Sequence, residues 1–225
     1  MVSVKLSSRV LSFLLEGANW LAADGPSNGQ DNHHRRGVVI VDGRAVNSRR
    51  YAIDWKQIKD DMSFSGDPRD VRSYYSYGKA VLAVADGLVV SGRDGLPDNI
   101  PGHGEAFHPA VPITFDTVAG NTITLDLGDG QFAHYMHLQS GSVLAKAGDR
   151  VRRRQMLARI GASGDAREPH LHFEVTTSSK LLAGEGVKLK DACIIDVFPM
   201  WDKENSKRKN FGMHQPDLRA QRRLL

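Results

Sequence analysis

An all-β fold, a small β-sandwich, is what this chain of 225 residues predicts, and three observations carry the prediction. The 22 glycines and 9 prolines punctuate many short Val/Ile/Leu runs, the pattern of short strands joined by turns. Asp-Gly pairs stand between alternating apolar segments, a strong short-range hairpin signal. Two stretches, residues 77–90 and 147–161, share the same strand–turn–strand punctuation, as two related β-units packed face to face would.

Taken in order, residues 1–32 read as an N-terminal extension, a short helix and then a loop from Asp24 to Asn32. Residues 33–200 hold the strand-like runs and form the β domain; residues 201–225 are a basic, flexible tail. The domain opens with Val38-Val39-Ile40-Val41, an Asp42-Gly43 turn, and a return strand ending Tyr51-Ala52-Ile53-Asp54-Trp55. Symmetric pairing about that turn sets His34 opposite Tyr51, with Asp54 about 10 Å further along a straight strand. Tyr51, Ile53 and Trp55 share an apolar face and Asp54 lies on the other. Asn121 to Leu127 alternates cleanly, turns at Gly128-Asp129-Gly130, and returns as Gln131 to Leu138.

Composition removes several function classes. The net charge of +4 is mild and demands no polyanionic partner. The basic tail lacks the interleaved aromatics of a single-strand platform, so no nucleic acid is expected. The lone Cys193 sits in Ala-Cys-Ile-Ile, reads as a buried structural thiol and rules out an internal disulfide. No apolar run approaches the roughly 20 residues of a membrane span. Val10 to Leu15 behind Lys5 and Arg9 makes a poor signal peptide.

The most informative run is Pro169-His170-Leu171-His172-Phe173-Glu174-Val175. On a strand, His170, His172 and Glu174 share one face while Leu171, Phe173 and Val175 enter the core. Two imidazoles side by side suit a metal ligand plus a proton-transfer group. A pair of satisfied histidines on a half-exposed strand is the plainer alternative. His134 and His137, three apart, face opposite ways on a straight strand, so only one can meet His170 and His172 unless a bulge intervenes. His33-His34-Arg35-Arg36 forms a third cluster, while His103, His108 and His214 read as bystanders. Glu174 is either a partner that orients a ligand or a solvated strand residue.

His34…Asp54, Tyr135-Met136-His137-Leu138, the glycine-bracketed Gly148…Gly161 and His170-Leu171-His172-Phe173-Glu174, in this order, resemble the lysostaphin-type zinc metallopeptidases over roughly residues 33–176. That resemblance implies the barrel-sandwich hybrid called the duplicated hybrid motif, one Zn2+ per chain and a peptidoglycan or other peptide substrate. It implies zinc ligands His34, Asp54 and His172 and catalytic His137 and His170, with His33 an alternative to His34 and the two catalytic roles exchangeable. It also implies a place in the cell envelope, periplasmic or secreted. Three departures stand out. The family spaces its first His and Asp about four positions apart, whereas here a hairpin intervenes; Arg154 occupies a position where glycine is common; and the envelope-targeting signal is missing. Two imidazoles and one carboxylate with a fourth position open form a catalytic rather than a closed structural zinc set. The rival readings are a catalytically inactive peptidoglycan-binding activator, and a lipoyl or biotinyl carrier suggested by Gly148-Asp149…Gln155. The carrier reading lacks its modified lysine.

Overall fold

A computed structural model describes residues 11–26 and 31–188. Cys193, His214, the basic tail and the boundary expected at 200 lie outside the described residues. Among the described residues the architecture is all-β, with open sheets and almost no helix. Seven strands form one antiparallel sheet in the order β1 (Trp20–Ala23), β4 (Ile53–Gln57), β11 (Leu171–Thr176), β8 (Gln131–Leu138), β7 (Asn121–Gly128), β6 (Gly87–Arg93) and β9 (Arg150–Val151). Two small sheets pair β5 (Ala80–Leu82) with β10 (Met156–Arg159) and β2 (Val39–Val41) with β3 (Arg44–Val46).

The two echoing units clasp each other: β6 pairs with β9 and β5 with β10. Their apolar faces close one core. Val81, Leu157 and Ile160 from one side meet Ile123, Leu125, Leu171 and Phe173 from the main sheet in a single buried cluster. Each such side chain contributes about 1.5–3 kcal/mol by leaving water. Tyr135 is fully buried, and its hydroxyl accepts a hydrogen bond from the Val84 amide at 2.9 Å, tying the two layers.

The helix expected near the N-terminus is absent from the described residues. Instead, β1 pairs with β4, and Leu11, Leu14, Leu15 and Trp20 enter the same core as the later strands. A six-residue apolar stretch is too short to hold a helix alone. Here Ser12 and Leu82 amides donate to Val84 and Leu14 carbonyls, so the backbone finds its partners in an extended form.

The first hairpin turns at Asp42 and Gly43, with φ of +48° and +73°, the left-handed pair that a two-residue turn requires. Its pairing stops at Val39↔Val46, so His34 does not sit opposite Tyr51. Both flanks curl instead. His33–Arg36 forms a one-turn helix, α1, begun by the Asn32 side chain accepting from the Arg35 amide, and Ser48–Tyr51 forms a 3-10 turn. The Asn47 side-chain amide donates to the carbonyls of His34 and Arg35 and binds the two curls together. The chain then enters the main sheet as β4, beside β11.

Candidate metal centre

Neighbouring strands β4, β11 and β8 bring the polar residues onto one face. Their register sets His172 beside Asp54 on one side and Met136 on the other, and Glu174 beside His134. Leu171, Phe173 and Val175 point into the core as strand parity expects. Glu174 is 1 % exposed, so the solvated reading of that carboxylate is excluded.

The parity conflict between His134 and His137 is resolved by a bulge. Tyr135 faces Ile123 and Leu138 faces Asn121, so β8 carries one extra residue there. His137 absorbs it with φ of +61°, a conformation uncommon outside glycine. Its amide donates to the Ala119 carbonyl and its carbonyl accepts from Gly161, so the extra peptide is fully bonded. Both histidines thus reach the same side of the sheet. His134 stands opposite Glu174, and the His137 ring lies 4.8 Å from that of His170.

Asp54 is the hub. Its carboxylate lies 2.9 Å from His172 Nδ1, 3.5 Å from His34 Nε2, 3.6 Å from His170 Nε2 and 3.8 Å from His33 Nε2. Three of the buried rings are oriented by main-chain carbonyls. His34 Nδ1 donates to Asp24, His170 Nδ1 to Glu168 and His137 Nδ1 to Ser163, each at 2.8 Å. A carbonyl only accepts, so each Nδ1 carries the proton and each Nε2 keeps its lone pair. His172 differs: its two nitrogens reach Asp54 at 2.9 Å and Glu174 at 3.2 Å, both acceptors.

Electrostatics follow from burial and these partners. Burial pushes His34 down to about 3 and also lowers His170 and, strongly, His137, so all three are neutral at pH 7. Burial opposes charge on His172 too, but the hydrogen bonds to Asp54 and then Glu174 outweigh it and raise this ring to about 9. Burial would raise the Asp54 carboxyl; the imidazoles around it, His170 foremost, hold it well below the usual range.

These residues suit a metal ion. His34 Nε2 is buried with no hydrogen-bond partner among the described residues, and its lone pair points toward Asp54. Nitrogen and carboxylate donors without thiolate are a set that zinc accepts. His33, His34 and Asp54 offer ligand atoms all within 4.8 Å of one another. The His33 side chain is 52 % exposed, whereas His34 and His172 are buried beside Asp54 on oriented rings.

The site opens into a cavity of about 210 Å³ whose lining includes His137 and His170, and also Arg49, Lys56 and His103. His103, read as a bystander, therefore lines the cavity from its loop. Beside it, Lys56 Nζ donates to Glu168 at 2.6 Å and Ser63 donates to the second carboxylate oxygen at 3.2 Å. Residues 162–166 are clamped in place. Asn99 donates to the Gly164 and Ala166 carbonyls, Asp98 accepts from Ala162, and Ser163 Oγ bridges Asn121 and Leu138. Gly164 sits in this bend with φ of +74°, where a side chain would strike the Gly120 backbone. Glu168, Ser163 and Asn99 were not singled out from sequence. Two of the contacts at His137 and His170 use main-chain carbonyls, which residue type does not announce.

Residues 71–183 match the model of peptidase family M23. The chain belongs to this family. As an M23 chain it carries His137, His170 and His172 within the matched span, while His34 and Asp54 precede it. It is 27% identical over 118 residues to a metalloprotease of Buchnera aphidicola. That match covers 52% of this chain and 25% of the relative, so the chain spans about a quarter of the relative's length. Among solved structures, a zinc-containing peptidase from Vibrio cholerae shares 22% identity with a TM-score of 0.46, covering 80% of this chain and 39% of that one. The antimicrobial peptidase lysostaphin from Staphylococcus simulans shares 21% with a TM-score of 0.37, covering 60% and 39%.

Proposed function

We propose that this M23 chain is a zinc metalloendopeptidase that hydrolyses peptide bonds in peptidoglycan, and that it acts in the cell envelope. The observation that carries the reading is the convergence on Asp54 of buried imidazoles whose other ring nitrogens are already bonded. His34 Nε2, an Asp54 oxygen and His172 Nδ1 would hold the metal. On binding, His172 would release its Nδ1 proton to solvent, and Glu174 keeps the ring aligned by accepting from Nε2. When bound, zinc supplies a Lewis acid that brings the pKa of a water near 7 and polarises the scissile carbonyl.

The chain's own groups do the rest. His170 Nε2, a lone pair 3.6 Å from the Asp54 carboxylate, takes the proton of the attacking water, and that carboxylate steadies the imidazolium formed. His137 Nε2, a lone pair on a ring fixed by Ser163, accepts a hydrogen bond from the attacking water and orients it from the other side; the proton taken by His170 then passes to the leaving amine nitrogen as the C–N bond breaks. Glu168 fixes the His170 ring through its carbonyl while its side chain is neutralised by Lys56.

The zinc-loaded protein incubated with purified sacculi is expected to release cross-linked peptide fragments and new free amines without new reducing ends. A chelator abolishes this. Binding to sacculi with zinc present but no cleavage, across several cross-link types, overturns the peptidase reading in favour of an inactive activator.

A further inference from the structure

A second cavity of about 290 Å³ adjoins the metal centre and shares Arg49, Val118 and Leu182 with it. Part of its lining, with Val39 and Ser48, comes from the segment inserted between His34 and Asp54; another part is Ile113 and Phe115, 38% and 56% exposed. The inserted hairpin that separates the two proposed ligands therefore builds an apolar chamber beside them. Arg49 stands at the junction. Among the cations lining the metal cavity, Lys56 is paired with Glu168 and Arg167 with Asp165. Arg49 is half-buried, and its guanidinium has no carboxylate or other acceptor among the described residues. It lies flat on Gly37, where a Cβ would sit 2.5–2.8 Å from its Nη2, Nε and Cζ. Gly37 has an ordinary φ of −74°, so its backbone does not require glycine; the guanidinium occupies the space a side chain would need.

We infer that this chamber is a substrate subsite, in which the apolar walls take a side chain next to the scissile bond and Arg49 receives a free carboxylate of the same peptide. The inference rests on the peptidase reading and adds its specificity. A half-buried planar cation with five donors and no partner is matched by a carboxylate, which it grips through two parallel bonds. Because Arg49, Val118 and Leu182 line both cavities, a carboxylate held by Arg49 would belong to the same peptide that reaches the metal.

The test uses stem-peptide dimers that differ only in a free carboxylate or its primary amide beside the cross-link. Cleavage by the zinc-loaded enzyme gives the kcat/KM ratio of acid to amide. Calorimetry with the zinc-loaded His170→Ala protein gives the ratio of affinities without turnover. The acid is expected to be favoured by about tenfold to a hundredfold in both, the scale of a charged hydrogen-bond pair. Arg49→Gln brings both ratios to about one, and Gly37→Ala, which displaces the guanidinium but keeps its charge, lowers them in the same direction. Equal handling of acid and amide by the wild type, or an equal fall for both peptides in Arg49→Gln, overturns the subsite. Absence of cleavage with an Arg49-dependent acid preference in calorimetry leaves the subsite standing and removes the peptidase reading.

Discussion

At the scale of single residues, each buried imidazole around Asp54 has at least one ring nitrogen already hydrogen-bonded. His34 and His33 show what that bond does. The buried His34 ring is fixed by the Asp24 carbonyl, while His33 is half exposed with only 3.8 Å contacts to Asp24 and Asp54. His34→Ala and His172→Ala are expected to lose stoichiometric zinc by elemental analysis, and His33→Ala to keep it. Full zinc in His34→Ala would transfer the ligand role to His33. A second expectation separates ligands from catalysts. His137→Ala and His170→Ala should hold zinc yet lose about two to four orders of magnitude of activity, the range of acid–base and oxyanion groups. Zinc loss from His170→Ala would contradict its assignment.

Among elements, the bend at residues 162–166 governs His137 from a distance. The Asn99 side chain is buried and makes three hydrogen bonds, donating to Gly164 and Ala166 and accepting from the Ala110 amide. Asn99→Ala leaves those backbone groups without partners, at a cost of about 1–3 kcal/mol. It also loosens the Ser163 carbonyl that fixes the His137 ring. The expected outcome is a lower Tm together with a reduced kcat and unchanged zinc content. Unaltered kcat in a destabilised protein would show that the bend only supports the fold. The turn at Arg154 makes a complementary point. Its φ of +66° shows why glycine suits that position, and its amide still donates to the Ala83 carbonyl, so the departure leaves the turn intact.

For the whole molecule, buried neutral histidines set the response to acid. His134 is fully buried: its Nε2 donates to the Ser178 carbonyl and Thr176 Oγ1, and its Nδ1 accepts from Thr124 Oγ1, the two hydroxyls each at 2.9 Å. Burial lowers its pKa below the ordinary 6.5. The unfolded chain therefore binds a proton that the folded chain refuses. The stabilisation is complete above pH 6.5 and is lost as the pH falls from there toward the folded-state value. Chemical denaturation of the metal-free protein at pH 7.5 and pH 5 should show stability falling with acid, and His134→Gln should flatten that fall. An identical pH profile in the variant would assign the acid sensitivity elsewhere.

Strand parity, Asp-Gly turns and the repeated β-unit are local properties, and they determined from sequence alone that the fold is all-β. Parity likewise determined that His170, His172 and Glu174 share a face. Periodicity and turn chemistry act over a few residues, so they survive without knowledge of neighbours. Three things only the tertiary structure decided. One is the joining of His34 to Asp54, which depends on two curls and the Asn47 bridge, whereas symmetric hairpin pairing would have held the residues apart. Another is the bulge at His137, where one extra residue overrides strand parity because its peptide finds partners in Ala119 and Gly161. The last is the protonation pattern of the rings, set by carbonyls of Asp24, Ser163 and Glu168 whose direction depends on backbone paths far apart in the chain.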